Sequence, residues 1–263
     1  MSTKPIGIFD SGVGGLSIWK EITNLLPHEN TIYLADSANA PYGSKNQDEI
    51  IRLCIKNTEK LINLGCKIIV VACNTATTNA IKTLRTNYNI PFIGIEPAIK
   101  PAGLQTKTKS IGILATKGTL NSSLFAETAQ KHMYGIKVIE KIGTGLVPLI
   151  ESGDIKSTKM TELLNEYINP MLLNNIDCLV LGCTHYPFLI PQIKEITGTR
   201  INIIDSGLAV AKQTNSILVT TETTNNSKDI FPSHKLYSNT NTEIIKTILG
   251  NNNSNYKLIL EDF

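Results

Sequence analysis

The sequence predicts an α/β protein built from two similar units, each a parallel sheet flanked by helices. Three observations carry this expectation. Strand-like and helix-like segments alternate along the chain. Residues 68–72 and 178–181 are unbroken apolar runs, the pattern of strands buried on both faces of a parallel sheet. The spacing also repeats: Gly7 and Asp36 are 29 positions apart, as are Gly112 and Lys141, while Gly7 to Cys73 spans 66 and Gly112 to Cys183 spans 71.

In chain order, residues 6–9 read as a strand, 16–26 as a helix and 31–35 as a second strand. A helix is predicted over 47–64, where Ile51, Cys54, Ile55, Thr58, Leu61 and Ile62 share one face. Asn46 with Glu49 makes a capping box, and Gly65 ends the helix. The apolar strand at 68–72 follows. In the second half, 110–114 is a strand, 122–131 a helix and 137–140 a strand. Residues 159–168 are helical and should stop before Pro170. The strand at 178–181 completes the second unit.

Composition narrows the function. A chain of 263 residues suits one large domain or two of about 100–150 residues. Apolar residues make up 41% and charged residues 18%, as in ordinary globular proteins. The net charge of +3 is small and its cations are scattered, which argues against a nucleic-acid partner. No leader-like segment precedes the first strand, and no apolar run approaches the roughly 18 residues of a membrane span. The expected setting is therefore cytoplasmic, with no membrane partner. Five cysteines, an odd number, include no Cys-x-x-Cys pair, so neither a disulfide framework nor a structural zinc site is expected. The thiols belong to the core or to chemistry.

Ligands of parallel sheets bind beyond the carboxyl ends of the strands. There the chain places Asp10-Ser11-Gly12-Val13-Gly14-Gly15, then Asp36 and Pro41-Tyr42-Gly43, then Cys73-Asn74-Thr75. In the second half it places Thr116 to Thr119 and Gly182-Cys183-Thr184-His185. Each half thus contributes one cysteine at a polar strand end. A thiolate is a base and a thiol an acid, and a helix start after Cys73 would favour its thiolate. His185 stands two residues from Cys183 as a possible proton partner. Two such groups facing across a cleft suit removal of a proton on one side and its return on the other. Asp10 could orient one thiol. Hydroxyls, amides and the glycines at 12, 14 and 15 suit carboxylate and ammonium recognition. Cys54, Cys66 and Cys178 read as core, and His28, His132 and His234 have no functional context. Asp36 fits a turn or a site equally well. The stretch from Gly12 to Ser17 is nearly a dinucleotide fingerprint, but Ser17 replaces its third glycine and Asp10-Ser11 intervenes after the strand.

Several motifs resemble bacterial glutamate racemases, within the aspartate/glutamate racemase family. They are Gly7 to Leu16, Asp36 with Pro41-Tyr42-Gly43, Ala72 to Thr77, Gly94 to Ala98, Leu181 to Pro187 and Ile204 to Gly207. The resemblance implies interconversion of L- and D-glutamate without pyridoxal phosphate or metal, supplying peptidoglycan. Carried over by position, Cys73 acts on D-glutamate and Cys183 on L-glutamate. Asp10 and His185 are their respective helpers, and Glu151 assists on the second side. Ser11, Tyr42, Gly43, Asn74, Thr75, Thr116, Thr119, Thr184 and His185, with Asp10, form the implied substrate site. The family's two domains are pseudo-symmetric with the site in the cleft between them. This places residues 1–97 in a first domain, completed by 208–263, and 98–207 in a second. A homodimer is the implied assembly. Alternatives are a racemase of aspartate or another acidic amino acid, a nucleotide-binding oxidoreductase, and a non-catalytic amino-acid-binding module. The tail from 220 to 263 carries no usable motif.

Overall fold

Gly7 and Gly112 occupy matching places at the centres of two separate parallel sheets, and the rest of the architecture is arranged around them. A computed structural model describes residues 2–225, 227, 231–250 and 256–263. The first half runs β1 (Ile6–Asp10), α1 (Leu16–Leu25), β2 (Thr31–Ala35), α2 (Gln47–Asn63), β3 (Ile68–Val71), α3 (Asn74–Asn87) and β4 (Phe92–Gly94). The second runs α4 (Ile99–Gln105), β5 (Ser110–Ala115), α5 (Lys117–Leu120), α6 (Ser123–His132), β6 (Lys137–Ile142), α7 (Leu146–Glu151), α8 (Thr158–Leu173), β7 (Cys178–Gly182), α9 (Ile190–Thr197) and β8 (Asn202–Ile204). Then come α10 (Gly207–Thr220), β9 (His234–Ser238), α11 (Glu243–Leu249) and β10 (Tyr256–Leu260).

One sheet has the order β10-β9-β2-β1-β3-β4 and the other β6-β5-β7-β8, and every pairing is parallel. The order β2-β1-β3-β4 therefore recurs as β6-β5-β7-β8. Gly7 pairs with Ile32 and Ile69, and Gly112 with Ile139 and Leu179. A Cβ on Gly7 would stand 2.9 Å from Cys66 Sγ and 3.1 Å from Leu61 of α2. On Gly112 it would stand 2.7 Å from Met171 Sδ of α8 and 3.0 Å from Ile176. In both halves the missing side chain lets a helix and the segment entering the next strand settle on the sheet. The strand runs at 68–71 and 178–182 are buried throughout, as continuous apolar sequence requires.

Local signals explain several boundaries. Asn46 Oδ1 accepts the Glu49 N–H at 2.9 Å, and Gly65 leaves α2 with a positive φ of 80°. Pro170 does not end α8, contrary to expectation, and the helix runs on to Leu173. A proline inside a helix costs about 3 kcal/mol. Here the apolar face of Leu164, Ile168 and Met171 is wholly buried, and Asn174 Nδ2 satisfies the Pro170 carbonyl at 2.8 Å. Each such side chain contributes about 1.5–3 kcal/mol, enough to offset the break. The tail without motifs supplies β9 and β10, which extend the first sheet beyond β2. Among the described residues, no helix is long and apolar enough to cross a membrane.

Candidate active site

In each sheet the chain steps from the first central strand to one side and then returns to the other. A crevice opens at that reversal, beyond the carboxyl ends of the two central strands. In the first sheet these are β1 and β3, which deliver Asp10, Ser11 and Cys73. In the second they are β5 and β7, which deliver Thr116 and Cys183. The two crevices face each other around one narrow cavity of about 10 Å³. Ser11, Tyr42, Gly43, Cys73, Asn74, Thr75, Thr116, Cys183, Thr184 and His185 line it, joined by Pro41 and Val147. Asp10, Glu151 and Thr119 stand behind this wall. An outer cleft of about 660 Å³ shares Pro41, Gly43, Thr116 and Val147 with the cavity and leads outward past Lys45 and Lys117.

Hydrogen bonds from half to half close the cavity. Thr75 and Thr116 join their hydroxyls at 3.0 Å, Ser17 Oγ donates to the Thr184 carbonyl at 2.9 Å, and Thr184 Oγ1 donates to Asp10 Oδ2 at 3.4 Å. Glu151, at the end of α7, accepts from the Val13 N–H at 2.7 Å and from Ser37 Oγ at 2.9 Å. A space of this size holds about one water.

The first thiol caps α3. Cys73 Sγ accepts the Ala76 N–H at 3.4 Å and donates to Ser11 Oγ at 3.7 Å. Ser11 Oγ in turn donates to Asp10 Oδ1 at 3.3 Å, and the Gly15 N–H meets Oδ2 at 2.6 Å. Asp10 therefore reaches Cys73 through Ser11. Burial and the Asp10 charge push the Cys73 thiol well above its usual range, against the Ala76 N–H and Ser11. The helix start does not make this thiol anionic in the closed cavity, because desolvation outweighs it. Burial likewise raises Asp10, and the charge of His185 only partly opposes it.

The second thiol has a histidine instead. Cys183 Sγ lies 3.7 Å from His185 Nδ1, and His185 Nε2 lies 2.5 Å from Glu151 Oε1. Burial disfavours an imidazolium, but the bonds to Cys183 and Glu151 outweigh it and raise His185 well above its usual range. Burial also works against charge on Glu151, and His185, the Val13 N–H and Ser37 outweigh it and lower this carboxyl.

Asn74 is 3% exposed, yet neither its Nδ2 nor its Oδ1 has a hydrogen-bond partner. Buried amides are almost always satisfied, so an orphan one facing a cavity marks a ligand position. An amide offers both a donor and an acceptor, which suits a carboxylate beside an ammonium. Thr119 is fully buried and bonds Thr116 Oγ1 at 2.9 Å, setting the hydroxyl that does line the cavity. The glycines that resembled a dinucleotide fingerprint have another use. A Cβ on Gly12 would stand 1.9 Å from Glu151 Oε1, and one on Gly14 2.2 Å from His185 Nδ1. That turn receives the carboxylate and imidazole of the second half. Sequence reasoning named Val13, Ser17 and Pro41 only as members of motifs, without a role in the site, and missed Ser37 and Val147, which carry no local signal.

A family model described as Asp/Glu/Hydantoin racemase matches residues 8–214. A glutamate racemase of Ralstonia pickettii is 49% identical over 208 residues, covering 79% of this chain and 74% of that protein. Among solved structures, glutamate racemase isoform RacE1 of Bacillus anthracis superposes with a TM-score of 0.87 at 29% identity, covering 100% of this chain and 99% of that one. The glutamate racemase of Francisella tularensis, solved in complex with D-glutamate, gives 0.83 at 29% identity over 100% and 98%.

Proposed function

The chain belongs to the Asp/Glu/hydantoin racemase family, and from that premise we propose that it is a glutamate racemase whose two bases are Cys73 and Cys183. The observation that carries this reading is the placement of the two thiols in one cavity, each delivered by a different sheet, with the orphan amide of Asn74 beside them. Asn74, Thr75 and Thr184 are suited to hold the amino-acid end of the substrate, and Ser11, Tyr42 and Gly43 to shape the rest of the cavity.

In the direction from L to D, His185 takes the Cys183 proton and leaves a thiolate. That thiolate removes the α-proton of L-glutamate. The Cys73 thiol then delivers its proton to the opposite face of the carbanion, giving D-glutamate and a Cys73 thiolate. The high thiol range of Cys73 suits its part as the acid in this direction. The reverse reaction starts from the Cys73 thiolate, with Ser11 and Asp10 beside it. Glu151 holds His185 and so assists the second side. Neither pyridoxal phosphate nor metal has a part in this route. We take residues 1–97 with 208–263 as one domain and 98–207 as the other, the division that follows the two sheets. D-glutamate for peptidoglycan, made in the cytoplasm by a homodimer, is the physiological setting the family suggests.

The test is racemisation of L-glutamate in D₂O by metal-free protein with reductant and no added cofactor. The α-proton signal should fall in NMR while D-glutamate appears on a chiral column. In the initial phase, deuterium should enter D-glutamate and not the remaining L-glutamate, because each face has its own base. Early deuterium in the L-glutamate pool would overturn the two-base route. Turnover of aspartate in place of glutamate would overturn the substrate.

A further inference from the structure

The tail of the chain reaches back to the loop that walls the substrate cavity. We propose that Asn239 is a positioning residue of the active site, whose side-chain amide holds the loop from Asp36 to Ser44 and, through Asp36, the ring of Tyr42. This rests on the racemase reading and deepens it.

Topology sets up the contact. β9 lies beside β2 with Ala35 paired to Ser238, so Asp36 and Asn239 leave the sheet side by side. Asn239 Nδ2 donates to Asp36 Oδ1 at 2.6 Å, and Asn239 Oδ1 accepts the Ala38 N–H at 2.9 Å. Asp36 Oδ1 also accepts from Asn39 Nδ2 at 2.8 Å, and Oδ2 accepts from the Tyr42 hydroxyl at 2.5 Å. Asn57 Nδ2 closes the network at 3.1 Å from the Tyr42 oxygen. The Tyr42 hydroxyl is thus fully occupied away from the cavity, and Tyr42 contributes its ring and backbone to the wall. Burial and the Asp36 charge hold the phenol protonated, as its donor role requires.

Asp36 is 0% exposed, and its four hydrogen-bond partners, Asn39, Tyr42, Asn57 and Asn239, are all neutral. A carboxylate buried among neutral donors depends on each of them. Removing Asn239 leaves Asp36 Oδ1 with Asn39 as its one side-chain donor and frees the Ala38 N–H as well. The loop carrying Pro41, Tyr42 and Gly43, all cavity residues, then loses its outer anchor. The partners of Asn239, Asp36 and Ala38, are not themselves lining residues of the cavity, so its effect falls on the shape that binds substrate.

Asn239→Ala should raise KM for glutamate about 5- to 20-fold and change kcat less than about 2-fold. In a Tyr42→Phe background the same substitution should add less than about 2-fold, because the link through Asp36 is already cut. Asn239→Asp keeps the acceptor for Ala38 but sets a second carboxylate against Asp36, so KM should rise at least as far while the Ala38 amide stays protected. Hydrogen exchange at that amide should quicken in Asn239→Ala only. Variants that melt cooperatively with unchanged KM would overturn the proposal, as would an effect undiminished beside Tyr42→Phe. The exchange signal needs no turnover. A protein that does not racemise glutamate therefore sinks the function while the clamp stands or falls on Ala38 exchange.

Discussion

Cys73 and Cys183 lie just past β3 and β7, the same place in two sheets of the same strand order, yet their surroundings share almost nothing. Cys73 caps a helix of 14 residues and takes one free N–H of its first turn, with a serine and a buried aspartate behind. Cys183 leads into a short turn of 3₁₀ helix at Tyr186–Leu189 and meets a histidine backed by a glutamate. The repeat has copied the scaffold and left the chemistry to diverge. There is a reason for this in chirality. L- and D-glutamate are mirror images, but a chain of L-residues cannot mirror itself. On the proposed route, a two-fold-like repeat would bring two bases to opposite faces of one carbon, and each face would then have to be furnished separately.

The largest effects should come from breaking the pair. Cys73→Ala and Cys183→Ala should each lower racemisation at least about a thousand-fold, since every turnover needs one base and one acid. The residual chemistry sharpens the contrast. Whatever deuterium wash-in persists should be confined to D-glutamate in Cys183→Ala and to L-glutamate in Cys73→Ala. Wash-in at the opposite isomer, read by NMR, would reverse the assignment of faces.

A smaller effect isolates the second side. Glu151→Gln keeps the shape but removes the charge that holds His185. Turnover should fall about 10- to 100-fold. The primary isotope effect should be larger with α-deuterated L-glutamate than with the D-isomer, because abstraction by Cys183 becomes the slow step. Stability carries a second signature. The folded Glu151 carboxyl is depressed by His185, the Val13 N–H and Ser37 against the effect of burial. Its contribution is therefore present above its unfolded value of about 4.3 and lost as pH falls through the depressed one. His185 is raised, so its contribution is full below about pH 6.5 and lost as pH rises through the raised value. Melting temperature followed from acid to alkaline pH should drop at both ends in the wild type. In Glu151→Gln the acid drop should shrink and the alkaline drop should begin earlier. Two parallel curves would mean that Glu151 does not hold the imidazolium.

What could be read from the sequence follows the same line between scaffold and detail. The helix cap at Asn46, the apolar strands at 68–71 and 178–182 and the polar strand ends with their two cysteines are local patterns, and each has a local cause. β9 and β10 are not local: β9 pairs with β2, some 200 residues earlier, β10 pairs with β9, and their Asn- and Thr-rich surroundings conceal them. The helix through Pro170 depends on burial of Met171, which only the assembled half supplies. Ser37, Ser17 and Asn239 act by meeting groups from distant segments, so no spacing announces them. The protonation of Cys73 likewise depends on more than its local sequence. A helix start is visible in sequence, but the desolvation that outweighs it belongs to the closed cavity.

The mildest perturbation tests the scaffold itself. Gly7→Ala and Gly112→Ala place a methyl at equivalent points of the two sheets, well below the cavity. Both should overpack the helix above, costing about 1–3 kcal/mol by chemical denaturation and leaving kcat nearly unchanged. The halves should still differ. At Gly7 the new carbon would stand 3.1 Å from Cys66 Cβ, which is fixed to the backbone, whereas at Gly112 its contacts are Met171 Sδ and the Cδ1 atoms of Ile176 and Leu179. Those outer atoms can turn aside, and methionine above all adapts to a changed space. Gly7→Ala should therefore be the more destabilising of the two. A larger loss at Gly112 would mean that α8, with its internal proline, has no freedom to yield, and that the second half is the stiffer copy of the frame.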